Sequence, residues 1–306
     1  MDSNKISKIA ISLIIVLIYK ISYAQQEPNY ILYRYTMNII NPAYVGTDNN
    51  YSLTTNIRSQ WINVEGALNT QSFFYEQPLG DNIGIGLSIV NDEVFIENQT
   101  RFNIDFSYRL QISQRADLFL GLKAGGSTYS LETDRIRGSS LQLDPVLNNF
   151  DTSFKPNFGM GLYLKHTDYF LSISVPSLLS NKRILESRGI ITQATEEAHI
   201  YLSGGYNFRL HKTIEFRPSF MMRYVNATPI SSDFTSAFRF LDRFEVAATY
   251  RTDQAISGLF MINFSDWMDL GYAYDQSIRN ELSGITEGTH EVLLRFTLVN
   301  NDYRRR

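Results

Sequence analysis

Between residues 51 and 299 the chain alternates apolar and polar residues in segments of about ten residues. Within residues 101–110, for example, polar residues separate the apolar residues Phe102, Ile104, Phe106, Tyr108 and Leu110. Successive side chains of a β-strand point to opposite faces, so one face must contact an apolar medium and the other a polar one. Strands of about this length cross a lipid bilayer obliquely. The pattern therefore predicts an all-β fold, a transmembrane antiparallel β-barrel.

We predict about 14 strands, and the lengths of their connections favour a barrel over a soluble protein. Short connections at 78–82, 111–115, 165–167, 211–212, 241–243 and 265–267 mostly alternate with long ones at 59–70, 91–99, 130–154, 176–198 and 277–288. The short segment 252–254 is the exception. Bacterial outer-membrane barrels combine tight periplasmic turns with longer external loops. A two-layer soluble β-protein would have strands of about five or six residues, and its connections would not sort in this way.

The first 24 residues have the layout of a secretory signal peptide. Lys5 and Lys8 precede an apolar run at 9–18, and small residues at 22 and 24 form a cleavage signal, so we predict cleavage after Ala24. A membrane-anchoring helix is the alternative, but it needs about 20 apolar residues, and Lys20 interrupts the run. The protein is therefore expected to be exported to the outer membrane.

Three further segments complete the predicted organisation. Residues 25–50 precede the barrel as an N-terminal periplasmic or plug segment, residues 51–299 form the barrel, and residues 300–306 form a basic C-terminal tail. The chain has no cysteine, so the fold must hold without disulfides. The formal net charge of −3 gives no support to nucleic-acid binding. The 19 Tyr and 20 Phe residues, many near strand ends, are typical of the aromatic girdles at membrane interfaces.

The inward-facing positions of the predicted strands carry charged residues of both signs. The candidate lumen network consists of Arg101, Asp105, Arg109, Glu215, Arg217, Arg223, Glu245, Arg251, Glu291 and Arg295. One interpretation is a charged conduit that selects a solute. The other is a self-neutralising network that braces the lumen, because buried charges must be paired. The similar numbers of the two signs favour the bracing network.

The sequence offers little support for catalysis. The four histidines are His166, His199, His211 and His290; the chain contains no G-x-S-x-G motif, no H-E-x-x-H motif and no cysteine nucleophile. A Ser–His–acid group assembled across strands stays open, since such triads are defined by geometry. We therefore expect no enzyme activity, no cofactor and no metal site.

Several short motifs, in order along almost the whole mature chain, resemble one family. The motifs are Gln25-Gln26-Glu27-Pro28, Asn41-Pro42-Ala43-Tyr44-Val45-Gly46, Arg58-Ser59-Gln60-Trp61, Gly66-Ala67 with Thr70, the segments 83–92, 155–164 and 169–175, and Thr289-His290-Glu291. Together they resemble the PorP/SprF family of Bacteroidetes outer-membrane proteins. The chain departs from the family pattern at Leu68, where the family tends to show proline, and we expect only a local loop effect.

The resemblance implies a barrel component of the type IX secretion system, including the branch that serves gliding adhesins. It implies contacts with outer-membrane lipid, with other components of the machinery, and with secreted client proteins that carry a C-terminal sorting domain. Such a barrel assists the secretion or the surface attachment of its clients. The family offers no agreed site residues, so none is transferred to this chain. A passive porin or small-solute channel is the alternative function.

Trp61 is the residue that we single out as a candidate partner contact. Exposed aromatic side chains are favoured anchors at protein interfaces, and Trp61 falls in the predicted long connection at 59–70. A residue of the membrane-interface girdle is the alternative interpretation. The sequence does not distinguish between the two.

Overall fold

The computed structural model describes residues 29–131, 154–179, 182–187, 190–195, 197–226, 228–252, 254–279 and 286–298. A four-residue helix, α1 (Met37–Ile40), and a 3-10 turn at Pro42–Tyr44 precede the strands. The strands are β1 (Tyr51–Ser59), β2 (Asn69–Leu79), β3 (Ile83–Val94), β4 (Glu97–Ser113), β5 (Ala116–Leu131), β6 (Lys155–His166), β7 (Tyr169–Val175), β8 (Lys182–Ser187), β9 (Ile190–Thr195), β10 (His199–Tyr206), β11 (Phe208–His211), β12 (Ile214–Phe216), β13 (Ser219–Val225), β14 (Ser231–Phe240), β15 (Phe244–Arg251), β16 (Ala255–Ser265), β17 (Met268–Ser277) and β18 (Thr289–Leu298). The predicted signal peptide at 1–24, its cleavage after Ala24 and the predicted tail at 300–306 lie outside the described residues.

Sixteen of these strands form one antiparallel sheet that closes on itself. β1 pairs with β18, and β14 pairs with both β13 and β15. β10 continues into β11 after a break at Asn207, and β12 continues into β13 after a break at Arg217 and Pro218. Fourteen spans therefore make up the wall, and the predicted transmembrane antiparallel barrel of about 14 strands is confirmed.

The wall strands bury one face in the lumen and expose the other. In β4, Asp105 and Ser107 are each 1% exposed, whereas Ile104 and Phe106 are 57% and 40% exposed. Apolar side chains recur on the outward face of strand after strand. An outward face of this kind fits the hydrocarbon of a bilayer. Among the described residues, no helix has the length and apolar character needed to span a membrane.

The predicted long connection at 91–99 is wrong. β3 and β4 pair without interruption as far as Val94 and Glu97, so that only Phe95 and Ile96 form the turn. The strands continue past the apolar belt because their hydrogen bonds depend on the neighbouring strand and not on the surrounding medium. Hydrophobic alternation therefore marks the membrane-facing part of this hairpin and misses its polar outer part.

The two ends of the barrel carry different connections. We call the end where β1 and β3 finish the long-loop end, and the end where β2 and β4 finish the short-turn end. The predicted connection at 176–198 lies at the long-loop end and contains a separate two-stranded sheet, β8–β9, which the sequence analysis did not predict. At the short-turn end, β4 and β5 are joined by the two residues 114–115.

Arginine at the middle of the outward apolar belt should destabilise the barrel strongly. For Phe106→Arg we expect the free energy of unfolding in lipid vesicles to fall by about 2–4 kcal/mol, because the charge meets hydrocarbon. Ile112→Arg, on the same face near the short-turn end of β4, is the matched control and should cost only about 0–1 kcal/mol. Urea titration of the refolded protein measures both changes. Equal losses for the two variants would contradict the lipid-facing assignment.

Candidate functional site

Residues 29–48 run through the lumen of the barrel, and we call this segment the plug. Its side chains are largely buried, and Leu32 and Ala43 are 0% exposed. The plug begins beside Ser72, in the long-loop half of β2, and ends beside Lys165, at the short-turn end of β6. A segment of the chain itself therefore extends along the lumen between the two ends of the barrel.

The plug packs against two opposite sides of the wall. On one side it meets a cluster of inward-facing residues from five strands: Phe119, Tyr163, Phe170, Tyr201 and Met221. On the other side it meets residues of β16, β17 and β18: Met261, Ala273 and Leu293. These groups of strands lie far apart in the order of the sheet, so the plug bridges the lumen. A water-filled lumen would expose these apolar side chains, and the plug is what covers them.

Four inward-facing glycines form a seat for the 3-10 turn of the plug, and we call them the glycine seat: Gly84, Gly86, Gly121 and Gly161. A Cβ atom on Gly121 would lie 2.5 Å from the Cα of Ala43, and one on Gly161 would lie 2.8 Å from the Cγ of Asn41. Such distances are far inside van der Waals contact. Glycine at these positions therefore lets the plug touch the wall backbone directly.

Asn41 fixes the turn that rests on the glycine seat. Its side-chain oxygen accepts a hydrogen bond from the Ala43 N–H at 2.9 Å and caps the turn, and Pro42 supplies the fixed φ at the first position. Its amide nitrogen donates to the Leu162 carbonyl at 3.0 Å and to the Ser172 hydroxyl at 2.8 Å. One buried side chain thus holds the turn in shape and ties it to two wall strands.

Glu291 of β18 anchors the other half of the plug. Its carboxylate accepts hydrogen bonds from the backbone N–H groups of Ile31 at 2.8 Å and Leu32 at 3.3 Å, and the residue is 0% exposed. Asn56 donates a third hydrogen bond at 2.8 Å, and the Arg58 guanidinium lies 3.8 Å away. A carboxylate this deeply buried requires such partners, and two of them belong to the plug.

Wall side chains also satisfy carbonyl groups of the plug. The donors and the residues whose carbonyls accept are Arg295 with Tyr35, Lys123 with Asn38 (3.4 Å), Ser174 with Ile40 (2.7 Å), Ser107 with Val45 (2.5 Å) and Lys165 with Thr47 (2.8 Å). The Tyr30 phenol lies 3.2 Å from the Ser72 hydroxyl, and the Tyr33 phenol donates to the Ser219 hydroxyl at 2.8 Å. Because an unpaired buried carbonyl costs free energy, these contacts make an irregular segment tolerable in the lumen.

The predicted lumen residues lie in separate pairs along the wall. Arg217 and Glu245 pair with each other at 2.6 Å, and Glu291 and Arg295 bind the plug. The others pair with residues outside the predicted set: Arg101 with Asp92 (2.5 Å), Asp105 with Lys123 (2.8 Å), Arg109 with Asp117 (2.9 Å), Glu215 with Arg209 at the short-turn rim (3.2 Å), Arg223 with Ser231 (3.3 Å), and Arg251 with Asp233 (2.7 Å) and Asp275 (3.2 Å). Alternation identifies the inward face, but partners across strands depend on the register.

The ion group around Arg251 shows how the lumen carries charge. Arg251 is 3% exposed, makes two hydrogen bonds to the Asp233 carboxylate and donates a third to Asp275. Bidentate pairing of this kind is among the strongest that proteins form and offsets part of the desolvation of the charges. The ion group around Arg251 links β14, β15 and β17. The described residues contain no group of three or more His, Asp or Glu side chains placed to hold a metal ion.

Trp61 lies in the loop between β1 and β2 at the long-loop end. It is half-buried, and its backbone N–H lies 3.4 Å from the hydroxyl oxygen of Thr289. The second tryptophan, Trp267, lies in a turn at the opposite end of the barrel, 53% exposed and stacked on Phe296. The two tryptophans are thus separated by the length of the wall.

Gly121→Ala should disturb the seat of the plug and destabilise the protein. We expect the free energy of unfolding to fall by about 1–3 kcal/mol, because the new methyl group overlaps the backbone of Ala43. Gly258→Ala is the matched control, since a Cβ atom there meets nothing within 4 Å, and its effect should stay within about 0.5 kcal/mol. Urea unfolding in detergent micelles measures both. A loss of the same size in both variants would contradict the glycine seat.

Glu291→Ala should release the long-loop half of the plug. The change leaves two plug N–H groups without an acceptor and the Arg58 charge without its counterion, and breaking a buried ion pair costs about 3–5 kcal/mol. We expect trypsin to cleave after Arg34, which the wild-type plug protects, and mass spectrometry detects the cut. Glu291→Gln keeps an acceptor oxygen and should be cleaved more slowly. Full protection of Arg34 in the alanine variant would contradict the anchoring role.

We compared the chain with protein-family models, curated proteins and solved structures. A family model described as type IX secretion system membrane protein PorP/SprF matches residues 22–296. The solved Acinetobacter baumannii outer membrane protein Omp33 is 8% identical with a TM-score of 0.46, over 82% of this chain and 99% of that one. The P. putida toluene transporter TodX is 10% identical with a TM-score of 0.47, over 85% of this chain and 91% of that one. The CymD monoaromatic hydrocarbon channel is 12% identical with a TM-score of 0.47, over the same shares of the two chains. No curated protein matches the chain. The family match extends over most of the length of this chain. The chain therefore belongs to the PorP/SprF family of type IX secretion system membrane proteins.

Proposed function

We propose that this protein is an accessory barrel of the type IX secretion system, which assists the secretion or surface attachment of client proteins with a C-terminal sorting domain. The plugged lumen is the observation that carries the proposal beyond family membership. A barrel whose interior is bridged by its own chain is suited to recognition at its two ends rather than to passing a solute. Gliding adhesins are one class of client that the family suggests.

The short-turn end offers polar contacts for periplasmic components of the machinery. The ion pairs Arg115–Asp168 at 2.6 Å and Lys165–Asp48 at 2.8 Å are both exposed there. The second pair joins the wall to the last residue of the plug. A component that docks at this rim would therefore contact both parts of the protein, while the external loops at the opposite end would meet the client.

A passive porin or small-solute channel is the weaker candidate. The polar residues of the inward face support it, but the described ion pairs of the lumen balance opposite charges, and a conduit that selects by charge presents an excess of one sign. The plug also contacts opposite walls through buried side chains. We propose no catalytic role and no cofactor for this protein.

Deletion of the gene should impair the secretion or surface display of a subset of proteins with sorting domains. Quantitative proteomics of the culture medium and of the cell-surface fraction measures the effect, and the wild-type gene should restore it. Complementation with Trp61→Ala should restore less than the wild type, because an aromatic anchor at the long-loop end is lost. Phe106→Ala, which removes an aromatic ring from the middle of the outward face, away from both ends of the barrel, is the matched control and should restore fully.

Unchanged secretion and display of every such client in the deletion strain would refute the accessory role. Planar-bilayer recordings of the purified wild-type protein form a second arm of the experiment. We expect no steady ion conductance, because the plug bridges the lumen. An open and ungated conductance would favour the porin instead.

A further inference from the structure

We propose that a crevice at the long-loop end of the barrel binds a neutral saccharide. The crevice has a volume of about 280 Å³ and lies between the loop after β1 and the turn that joins β3 and β4. We call it the outer crevice, and its lining includes Gln60, Trp61, Asn63, Asn69, Glu93 and Phe95. The volume is near the lower end of the ~300–1,000 Å³ typical of small-molecule sites, which suits a ligand of one or two rings.

The backbone around the outer crevice is held by its own hydrogen bonds. Within the loop, Gln60 N–H donates to the Leu68 carbonyl at 2.9 Å. Towards the neighbouring connections, Ile62 N–H donates to the Gly288 carbonyl at 3.0 Å, and Phe95 N–H donates to the carbonyl of Gly66 at 3.1 Å. The loop is thus fastened to itself and to two other loops, which is the preorganisation that a binding site needs. It also leaves recognition to the side chains of the lining.

Several residues of the crevice adopt the left-handed backbone conformation. Trp61 has φ 49°, Asn63 has φ 70° and Phe95 has φ 55°. This conformation is a rare one for bulky aromatic residues, and it persists only where the surrounding structure enforces it. The loop after β1 and the turn between β3 and β4 therefore each hold one aromatic residue in an unfavourable conformation at the edge of the same crevice.

The side chains of the lining match a hydroxylated, uncharged ligand. Gln60, Asn63 and Asn69 offer amide donors and acceptors, and an indole and a phenyl ring lie beside them. A sugar ring presents hydroxyl groups at its edge and an apolar C–H face to an aromatic ring. The described lining residues include amides and the carboxylate of Glu93 but no Lys or Arg, which favours an uncharged ligand over a phosphate or carboxylate group.

Asn69, the first residue of β2, brings an unused acceptor next to the outer crevice. Its side-chain oxygen is buried and has no hydrogen-bond partner among the described residues. An orphaned acceptor of this kind is costly. The oxygen is shielded from solvent in its present orientation, so a ligand hydroxyl in the outer crevice would reach it once the Asn69 side chain rotates. The geometry thus places three amides, one of which has an unused acceptor, and an indole around one small space.

Tryptophan fluorescence offers a direct test, because the chain has only two tryptophans. In the full-length Trp267→Phe variant, Trp61 is the sole reporter. The protein is prepared in an amine-oxide detergent, since sugar-based detergents would compete. Glucose, galactose, mannose, N-acetylglucosamine and their disaccharides are the probes. We expect at least one to change the emission saturably, with a Kd of about 1 mM or tighter.

Asn69→Ala in the same background should weaken this binding about tenfold, as expected for one lost hydrogen bond to a ligand. Asn82→Ala, an amide removed from an exposed position at the short-turn end, is the matched control and should bind as before. Heat-modified mobility in electrophoresis verifies that every variant is folded. The proposal is overturned if no sugar changes the emission up to 100 mM (about a hundred times the expected Kd), or if Asn69→Ala binds as tightly as its parent.

Discussion

A peptide segment that runs inside a barrel must find a partner for each of its backbone N–H and C=O groups, because the wall strands use their own on one another. The plug meets this constraint through side chains of the wall. Glu291 accepts from two plug N–H groups, and five wall residues donate to plug carbonyls. The inward charges are therefore best understood as partners of the plug and of one another.

The same constraint explains the mixed character of the inward face. A lumen filled with water favours polar side chains throughout, whereas a lumen crossed by a plug also needs apolar residues where the plug is apolar. Tyr163 and Phe170 stack at 5.8 Å within the cluster that receives Met37 and Ile40. Glycine is needed where the plug is closest, as at Gly121. Polar, apolar and glycine positions thus follow the plug rather than any conducting path.

Much of the wall could be predicted from the sequence, and much of the plug could not. Alternation within residues 101–110 correctly assigns the two faces of β4, because lipid and lumen impose a period of two on the strand. The same alternation identifies Glu245 and Arg217 as inward but cannot pair Arg251 with Asp233, since that pairing depends on the register between β14 and β15. The glycine seat of the plug is harder still to predict from the sequence. The role of an inward-facing glycine or phenylalanine can be inferred only once the segment that it contacts is known.

The glycine seat gives a physical reason why separated segments of this chain belong together. The turn at 41–46 rests on Gly84 and Gly86 of β3, Gly121 of β5 and Gly161 of β6, and the Asn41 amide reaches Ser172 of β7. Four of the sequence segments that resemble the family, 41–46, 83–92, 155–164 and 169–175, thus meet at one place in the lumen. A wall of alternating residues needs only lipid on one side and polar groups on the other, which many unrelated sequences supply. A seat that accepts one particular turn is far more demanding, so the plug and its seat constrain the sequence of this barrel more closely than the wall does.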